Sequence, residues 1–197
     1  FRAFTDVLSG YVAVLEYENE DAEFLSLISS VRAVVAADGD DHVYVAHHSR
    51  DIYPIASLTK LMTALVFLEH NPGWNTRVTI TKQDDTPPAK IAFQTGDVVT
   101  ARTLFESMLV GSKNNGAEAV SRASGLSRSE FIKKMNEKAR QLGMADTTFI
   151  DVTGLSPNNK GTARDIALLA RIALSNSDIR SAAGKRSTSV ELLNRKK

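Results

Sequence analysis

The sequence predicts an α+β fold, an antiparallel sheet covered by a helical layer. Three observations carry this. Stretches rich in β-branched and aromatic residues cluster near the amino end, at 11–17 (YVAVLEY), 32–37 (RAVVAA) and 42–47 (HVYVAH). A succession of helical patterns with start and stop signals fills the middle. A strand-like run, STSVELL at 187–193, returns at the end. Strands, then helices, then a strand suit such a sheet better than a βαβ series.

Each element has a local reason. Asp38-Gly39-Asp40-Asp41 is turn chemistry, so 32–47 reads as a hairpin. Between the first two strands, DAEFLSLISS (21–30) is a helix candidate. The next helix runs from about Ser57 and stops at Asn71-Pro72-Gly73. RVTIT (77–81) reads as a strand and leads into a polar loop holding Pro87 and Pro88. ARTLFESMLV (101–110) is a helix that breaks across Gly111–Gly116, and AEAVSRAS (117–124) resumes it. In SRSEFIKKMNEKARQLG (127–143), Ser127 and Glu130 form a capping box. Phe131, Met135, Ala139 and Leu142 share one face there, and Gly143 ends the helix. TTFID (147–151) reads as a short strand. After a Gly/Ser/Pro/Asn loop, Thr162 and Asp165 predict a second capping box for ARDIALLARIAL (163–174).

Composition narrows the class. The chain has 197 residues, 43% hydrophobic and 24% charged, as in ordinary globular domains. Net charge is +1, and the one basic cluster, Arg195-Lys196-Lys197, ends the chain, so nothing points to nucleic acid. With no cysteine, disulfides, thiolate metal sites and a cysteine nucleophile are excluded. No apolar run approaches the roughly 18 residues that span a bilayer. A start at Phe1, with neither initiator methionine nor signal pattern, reads as a mature or excised segment. Residues 1–30 are expected to be an N-terminal extension. Residues 31–197 are expected to form one domain, with a helical subdomain at about 82–162.

Two constellations could carry chemistry. Ser57 and Lys60 stand at i and i+3, so on a helix their side chains can meet. Negative charge developing on Ser57 at the helix's amino end would be stabilised. Lys60 is surrounded by Leu61, Met62, Leu65, Val66 and Leu68, and burial disfavours an ammonium, which makes Lys60 a candidate general base. The plainer reading is a serine N-cap followed by a snorkelling lysine. The second constellation, Ser112-Lys113-Asn114, sits at the break between two helices. Its plainer reading is turn composition. The four histidines lack acidic partners at metal-ligand spacing.

In this order the two motifs match two of the three parts of the penicillin-recognising signature, S-x-x-K then S-x-N. The flanking blocks extend the match: PIASLTKLMTALVFLE (54–69), TGDVVTARTLFESMLVGSKNNGAEAV (95–120), FIKKMNEKARQLGMADTTFIDVTGLS (131–156) and GTARDIALLARIAL (161–174). From about Val31 to about Asn176 the chain resembles the serine D-alanyl-D-alanine carboxypeptidases, the low-molecular-mass penicillin-binding proteins of peptidase family S11. The resemblance implies a penicillin-recognising serine transpeptidase-like fold. It implies Ser57 as nucleophile, Lys60 as the base that takes its proton, Ser112 as proton relay or a holder of Lys60, and Asn114 as a substrate-binding residue that bonds the substrate's amide carbonyl or Lys60. It further implies peptidoglycan stem peptides as substrate, β-lactams as inhibitors and neither metal nor organic cofactor. The location it implies is the outer face of the cytoplasmic membrane, with peripheral attachment through segments this sequence does not contain.

The third element, K-[ST]-G, is absent: no lysine is followed by Thr-Gly or Ser-Gly. The fold is therefore expected to be incomplete at its carboxyl end. A catalytically incompetent fragment or a cell-wall-binding homologue is the alternative to the peptidase. A class A β-lactamase fits less well. Such enzymes deacylate through a glutamate, but none occurs between Glu137 and Glu191, and the second motif is Ser-Lys-Asn.

Overall fold

The computed structural model describes residues 13–14, 34–37, 43–86 and 93–194. The chain runs through β1 (Ala13–Val14), β2 (Val34–Ala37), β3 (Val43–His47) and β4 (Tyr53–Pro54) into α1 (Thr59–Glu69). It continues through β5 (Arg77–Thr79), β6 (Val98–Thr100), α2 (Ala101–Val110), α3 (Asn114–Ala123) and α4 (Arg128–Gln141). It closes with β7 (Lys160–Gly161), α5 (Ala163–Ser175) and α6 (Ser177–Ala183). The expected 21–30 helix and nearly all of the expected N-terminal extension lie outside the described residues.

The architecture is α+β, as expected. One sheet has the order β1-β2-β3, and two small antiparallel ladders join β4 to β7 and β5 to β6. The β2–β3 hairpin is antiparallel with an irregularity at Ala36/Ala37, whereas β1 pairs with β2 in parallel. A parallel pair needs a crossover of about a dozen residues or more, and the connection from Val14 to Val34 is long enough.

Helix α1 is the central post. It is apolar nearly all round, the pattern of a buried helix, and it packs against α2, α3, α4 and α5. Met62, Val66 and Phe67 join Phe105, Met108, Phe131, Met135, Phe149, Ile166 and Leu169 in one core. α1 stops where the sequence says: Gly73 has φ +109°, and its N–H donates to Asn71 Oδ1 at 2.9 Å. The α4 capping box forms in full, with Glu130 N–H donating to Ser127 Oγ and Ser127 N–H donating to Glu130 Oε2. Gly143, at φ +80°, ends α4.

Three local expectations are corrected. Residues 147–151 make a single bridge, Thr148 to Lys160, and no strand. Asparagine side chains take the place of the ladder: Asn136 pairs with both the N–H and C=O of Phe149, and Asn159 Oδ1 accepts the N–H groups of Ile150 and Asp151. Residues 187–193 are likewise irregular. There a single backbone bond, Leu193 N–H to Val98 C=O, is joined by the Asn194 amide, which accepts from Val98 N–H and donates to Gly96 C=O. The α5 capping box is only half made. Thr162 Oγ1 accepts Asp165 N–H, but the Asp165 carboxylate receives Asp146 N–H and the Thr147 hydroxyl instead. Helix also resumes earlier than expected, at Asn114, and β4, β6 and α6 carry no strong sequence signal.

Candidate active site

Ser57 lies in a single 3₁₀ turn, Ala56–Leu58, which feeds α1. It is not the N-cap: α1 begins at Thr59, and no side chain caps either the turn or the helix. The Ser57 hydroxyl is engaged elsewhere. Lys60 Nζ donates to Ser57 Oγ at 3.1 Å, and Ser112 Oγ donates to it at 2.8 Å. An oxygen that receives two donors is prepared for negative charge.

Lys60 is 2% exposed, so it does not snorkel. Besides Ser57, its Nζ donates to Asn114 Oδ1 at 2.8 Å and to the carbonyl of Thr153 at 2.6 Å. The structure thus brings together all four residues singled out in the sequence. Ser57 and Lys60 come from the α1 entry, and Ser112 and Asn114 from the α2–α3 corner. Ser57 and Ser112 are part-exposed, while Asn114 and Lys60 are buried beneath them.

Two backbone conformations set this geometry. Among the described residues, non-glycine positive φ occurs at His48, Ala56 (+45°) and Ser112 (+51°). The last two adjoin or belong to the hydroxyl pair, and such conformations cost about 1–2 kcal/mol each. Packing holds them. Gly154, at φ +83°, lies so close to the Ala56–Ser57 peptide that a Cβ there would sit 1.8 Å from Ala56 O. At the other corner, α2 and α3 meet over Gly116, whose Cβ would lie 2.8 Å from Ser107 Oγ.

The loop 151–159, whose Thr153-Gly154-Leu155-Ser156 run reads in the sequence as capping and loop geometry, is part of the site. Asp151 Oδ1 accepts the N–H groups of Thr153 and Gly154 at 2.7 and 2.6 Å and the Thr153 hydroxyl at 2.9 Å. Its Oδ2 accepts Ser156 N–H at 2.8 Å. Burial pushes the Asp151 carboxyl up, but the N–H groups of Ser156, Gly154 and Thr153 and the Thr153 hydroxyl outweigh it. The net result lies below the usual carboxylate range. Asn159 Nδ2 ties the loop to Thr59 Oγ1 at 2.9 Å, and its carbonyl accepts Ile55 N–H. The available signal was an Asp two and three residues before a Thr-Gly pair, a side-chain-capped turn. His48, by contrast, pairs with exposed Asp51, and none of these contacts involves it.

A buried lysine beneath two hydrogen-bonded serines, on an α+β frame with a central buried helix, defines a penicillin-recognising serine peptidase fold. The chain belongs to the D-alanyl-D-alanine carboxypeptidases, peptidase family S11, whose family pattern matches residues 19–196. It is 48% identical over 143 residues to a D-alanyl-D-alanine endopeptidase of Haemophilus influenzae, covering 71% of this chain and 49% of that one. It is 31% identical over 145 residues to the D-alanyl-D-alanine endopeptidase of Escherichia coli, covering 72% and 46%. Among solved structures it resembles penicillin-binding protein D2 of Listeria monocytogenes in a cefotaxime-bound form. That likeness has a TM-score of 0.64 at 30% identity and covers 73% of this chain and 61% of the other. The chain spans about half the length of the curated relatives it matches.

Proposed function

We propose that this chain carries the nucleophile half of a serine DD-peptidase that cleaves D-Ala-containing peptides of peptidoglycan through an acyl-enzyme on Ser57. The observation that carries the reading is the position of Ser57 Oγ between Lys60 Nζ and Ser112 Oγ. Two further partners of Lys60, an amide oxygen and a peptide carbonyl, can only accept. A neutral amine there spends two N–H bonds on them and turns its lone pair to the Ser57 hydroxyl.

In this reading Lys60 takes the Ser57 proton as Oγ attacks the carbonyl carbon of the penultimate D-Ala. The Ser57 N–H serves as one oxyanion donor. The proton then passes through Ser112 to the departing amine nitrogen, the C–N bond breaks, and the acyl group stays on Ser57. Water reverses the sequence, adding OH to the acyl carbon and returning the proton to Oγ. Asn114, bonded to Lys60, holds that amine and faces the substrate amide. A β-lactam would follow the first half only, since its leaving amine stays tethered. Recognition of the substrate carboxylate, the task of a K-[ST]-G strand, is assigned to a part of the whole protein outside this sequence. The substrate class places the activity outside the cytoplasmic membrane. No helix among the described residues is long and apolar enough to cross one.

A second reading shares the acyl-enzyme and differs in the leaving group. Both relatives quoted above are named endopeptidases, which favours an amine borne on a longer peptide over free D-Ala. The test uses the full-length native chain with a fluorescent penicillin and peptide mapping of the adduct. Labelling at Ser57, and none in Ser57→Ala, supports the acyl-enzyme; an unlabelled wild-type chain refutes it. Release of D-Ala from a pentapeptide against cleavage of a cross-linked dimer then separates the two leaving groups.

A further inference from the structure

We infer that Asp151 is a positioning residue for Lys60, acting through the single peptide unit Thr153–Gly154, with Asn159 fixing that unit to the nucleophile helix. The inference rests on the reading of Lys60 as the base and adds what orients it.

The two polar ends of one peptide group carry the argument. Gly154 N–H and Thr153 C=O belong to the same planar unit and point in opposite directions. The N–H is held by Asp151 Oδ1 at 2.6 Å, and the C=O receives Lys60 Nζ at 2.6 Å. Carboxylate, peptide and amine therefore form one continuous chain. A negative charge on the N–H side polarises the peptide and makes its carbonyl oxygen a stronger acceptor. The carboxylate also fixes the rotation of that peptide, because its Oδ1 accepts Thr153 N–H from the preceding unit as well.

Side chains rather than a ladder hold the loop. Asn159 Oδ1 receives two loop N–H groups and its Nδ2 reaches Thr59, the residue beside Lys60, while Thr63 of the same helix donates to Val152 C=O at 2.8 Å. Asp151 is 7% exposed and Asn159 fully buried, so water does not substitute for either set of contacts. Arg128 of α4, paired with Glu118, adds a weaker favourable field on Asp151. The arrangement holds Thr153 C=O against Lys60 while Gly154 abuts the Ala56–Ser57 peptide. One carboxylate thus sets both the acceptor of the base and the seat of the nucleophile.

The test measures acylation by a fluorescent penicillin across pH, on the full-length chain, for wild type, Asp151→Ala and Asp151→Asn. Asp151→Ala removes both orientation and charge. Its acylation should slow by roughly 10- to 100-fold, the effect of one hydrogen bond to a charged or reacting group. Asp151→Asn keeps an acceptor for the Thr153–Gly154 turn but no charge, and should slow by less than about tenfold. In both, the acid limb of the pH–rate profile, which reports the proton on Lys60, should move to lower pH, because the ammonium loses a stabilising charge. A protein that merely folds less well loses active fraction and leaves the limb in place. Where Asp151→Ala does not fold, Asp151→Asn decides. An unmoved limb, or Asp151→Ala acylating within twofold of wild type, overturns the inference. An unlabelled wild type overturns instead the reading on which it rests.

Discussion

Replacing Gly154 by alanine should cripple acylation while leaving a folded protein. Two separate penalties apply at this position. The φ of +83° places a β-carbon in the left-handed region, at about 1–2 kcal/mol. The new Cβ also meets Ala56 O at 1.8 Å, Ala56 C at 2.3 Å and Ser57 N at 3.0 Å, all backbone atoms. Reaching ordinary contact requires the loop and the Ser57 turn to separate by more than about 1 Å, with an overpacking penalty of about 1–3 kcal/mol. Together these lower stability by about 2–5 kcal/mol, or roughly 4–20 °C in Tm for a chain of this size. The same displacement draws Thr153 C=O from Lys60 or Ser57 from Ser112, and an error of about 1 Å at reacting groups can slow a step by about 100-fold. Gly143→Ala is the control. Its φ is +80°, but nothing lies within 4 Å of its Cβ, so it carries the conformational penalty without the clash. Stopped-flow acylation with a fluorescent penicillin, read beside thermal melts, should show Gly143→Ala slightly destabilised and fully reactive, and Gly154→Ala at least about 30-fold slower. Equal acylation rates in the two variants would refute the claim that the loop seats the nucleophile.

Two further outcomes concern stability alone. Arg122→Ala strips Asp84 of a bidentate partner, and Asp84 is 1% exposed. A buried carboxylate that keeps the Thr81 N–H and hydroxyl but loses its counter-charge should cost about 3–5 kcal/mol, seen as a fall of roughly 6–20 °C in Tm at neutral pH. A smaller loss when Arg122→Ala is made in an Asp84→Asn background would show that the burial of charge is the cause, and an equal loss would refute it. The pH dependence of the wild type follows from Asp151, whose carboxyl lies below its ordinary range. A depressed folded-state value means the contribution is fully present above the unfolded value, near 4, and is lost as pH falls through the lower folded value. Tm should therefore hold from pH 7 to about 5 and decline below about 4, with a shallower decline in Asp151→Asn; matching acid slopes in the two proteins would contradict this.

What the letters disclosed depended on whether the structural partner was a side chain in the expected place. Ser127, Glu130 and Gly143 bound α4 because a cap is local and each residue type has one dominant use there. Asn71-Pro72-Gly73 stopped α1 for the same reason. Ser57 and Lys60 met because three residues on a helical path bring side chains to one face. The link from Lys60 to Asn114, 54 positions away, has no periodic signature, and only the family resemblance suggested it. Asp165 shows the limit of local reasoning. Its N–H obeys the capping rule, while its carboxylate serves a turn 18 and 19 residues earlier. At 147–151 and 187–193 the backbone pairs at one residue only, Thr148 with Lys160 and Leu193 with Val98, and asparagine amides satisfy neighbouring backbone groups where a longer ladder was expected. The carbonyl of Thr153 could not be read at all, since every residue owns the same carbonyl.

That last point bears on how the site tolerates change. Lys60 finds its acceptors 54 and 93 positions away in sequence, so its surroundings exist only in the folded chain. Two of the groups that define the geometry are backbone, the Thr153 carbonyl and the Ala56–Ser57 peptide, and both are set by the loop that Asp151 and Asn159 hold. Substitutions at 153 that keep a compact side chain leave the acceptor in place. Changes at 151, 154 or 159 move it without touching any reacting atom. Sensitivity to mutation should therefore extend beyond the S-x-x-K and S-x-N motifs to residues next to the chemistry in space. A helix cap with an ordinary lysine would show no such pattern, because its stability is local and its lysine faces water.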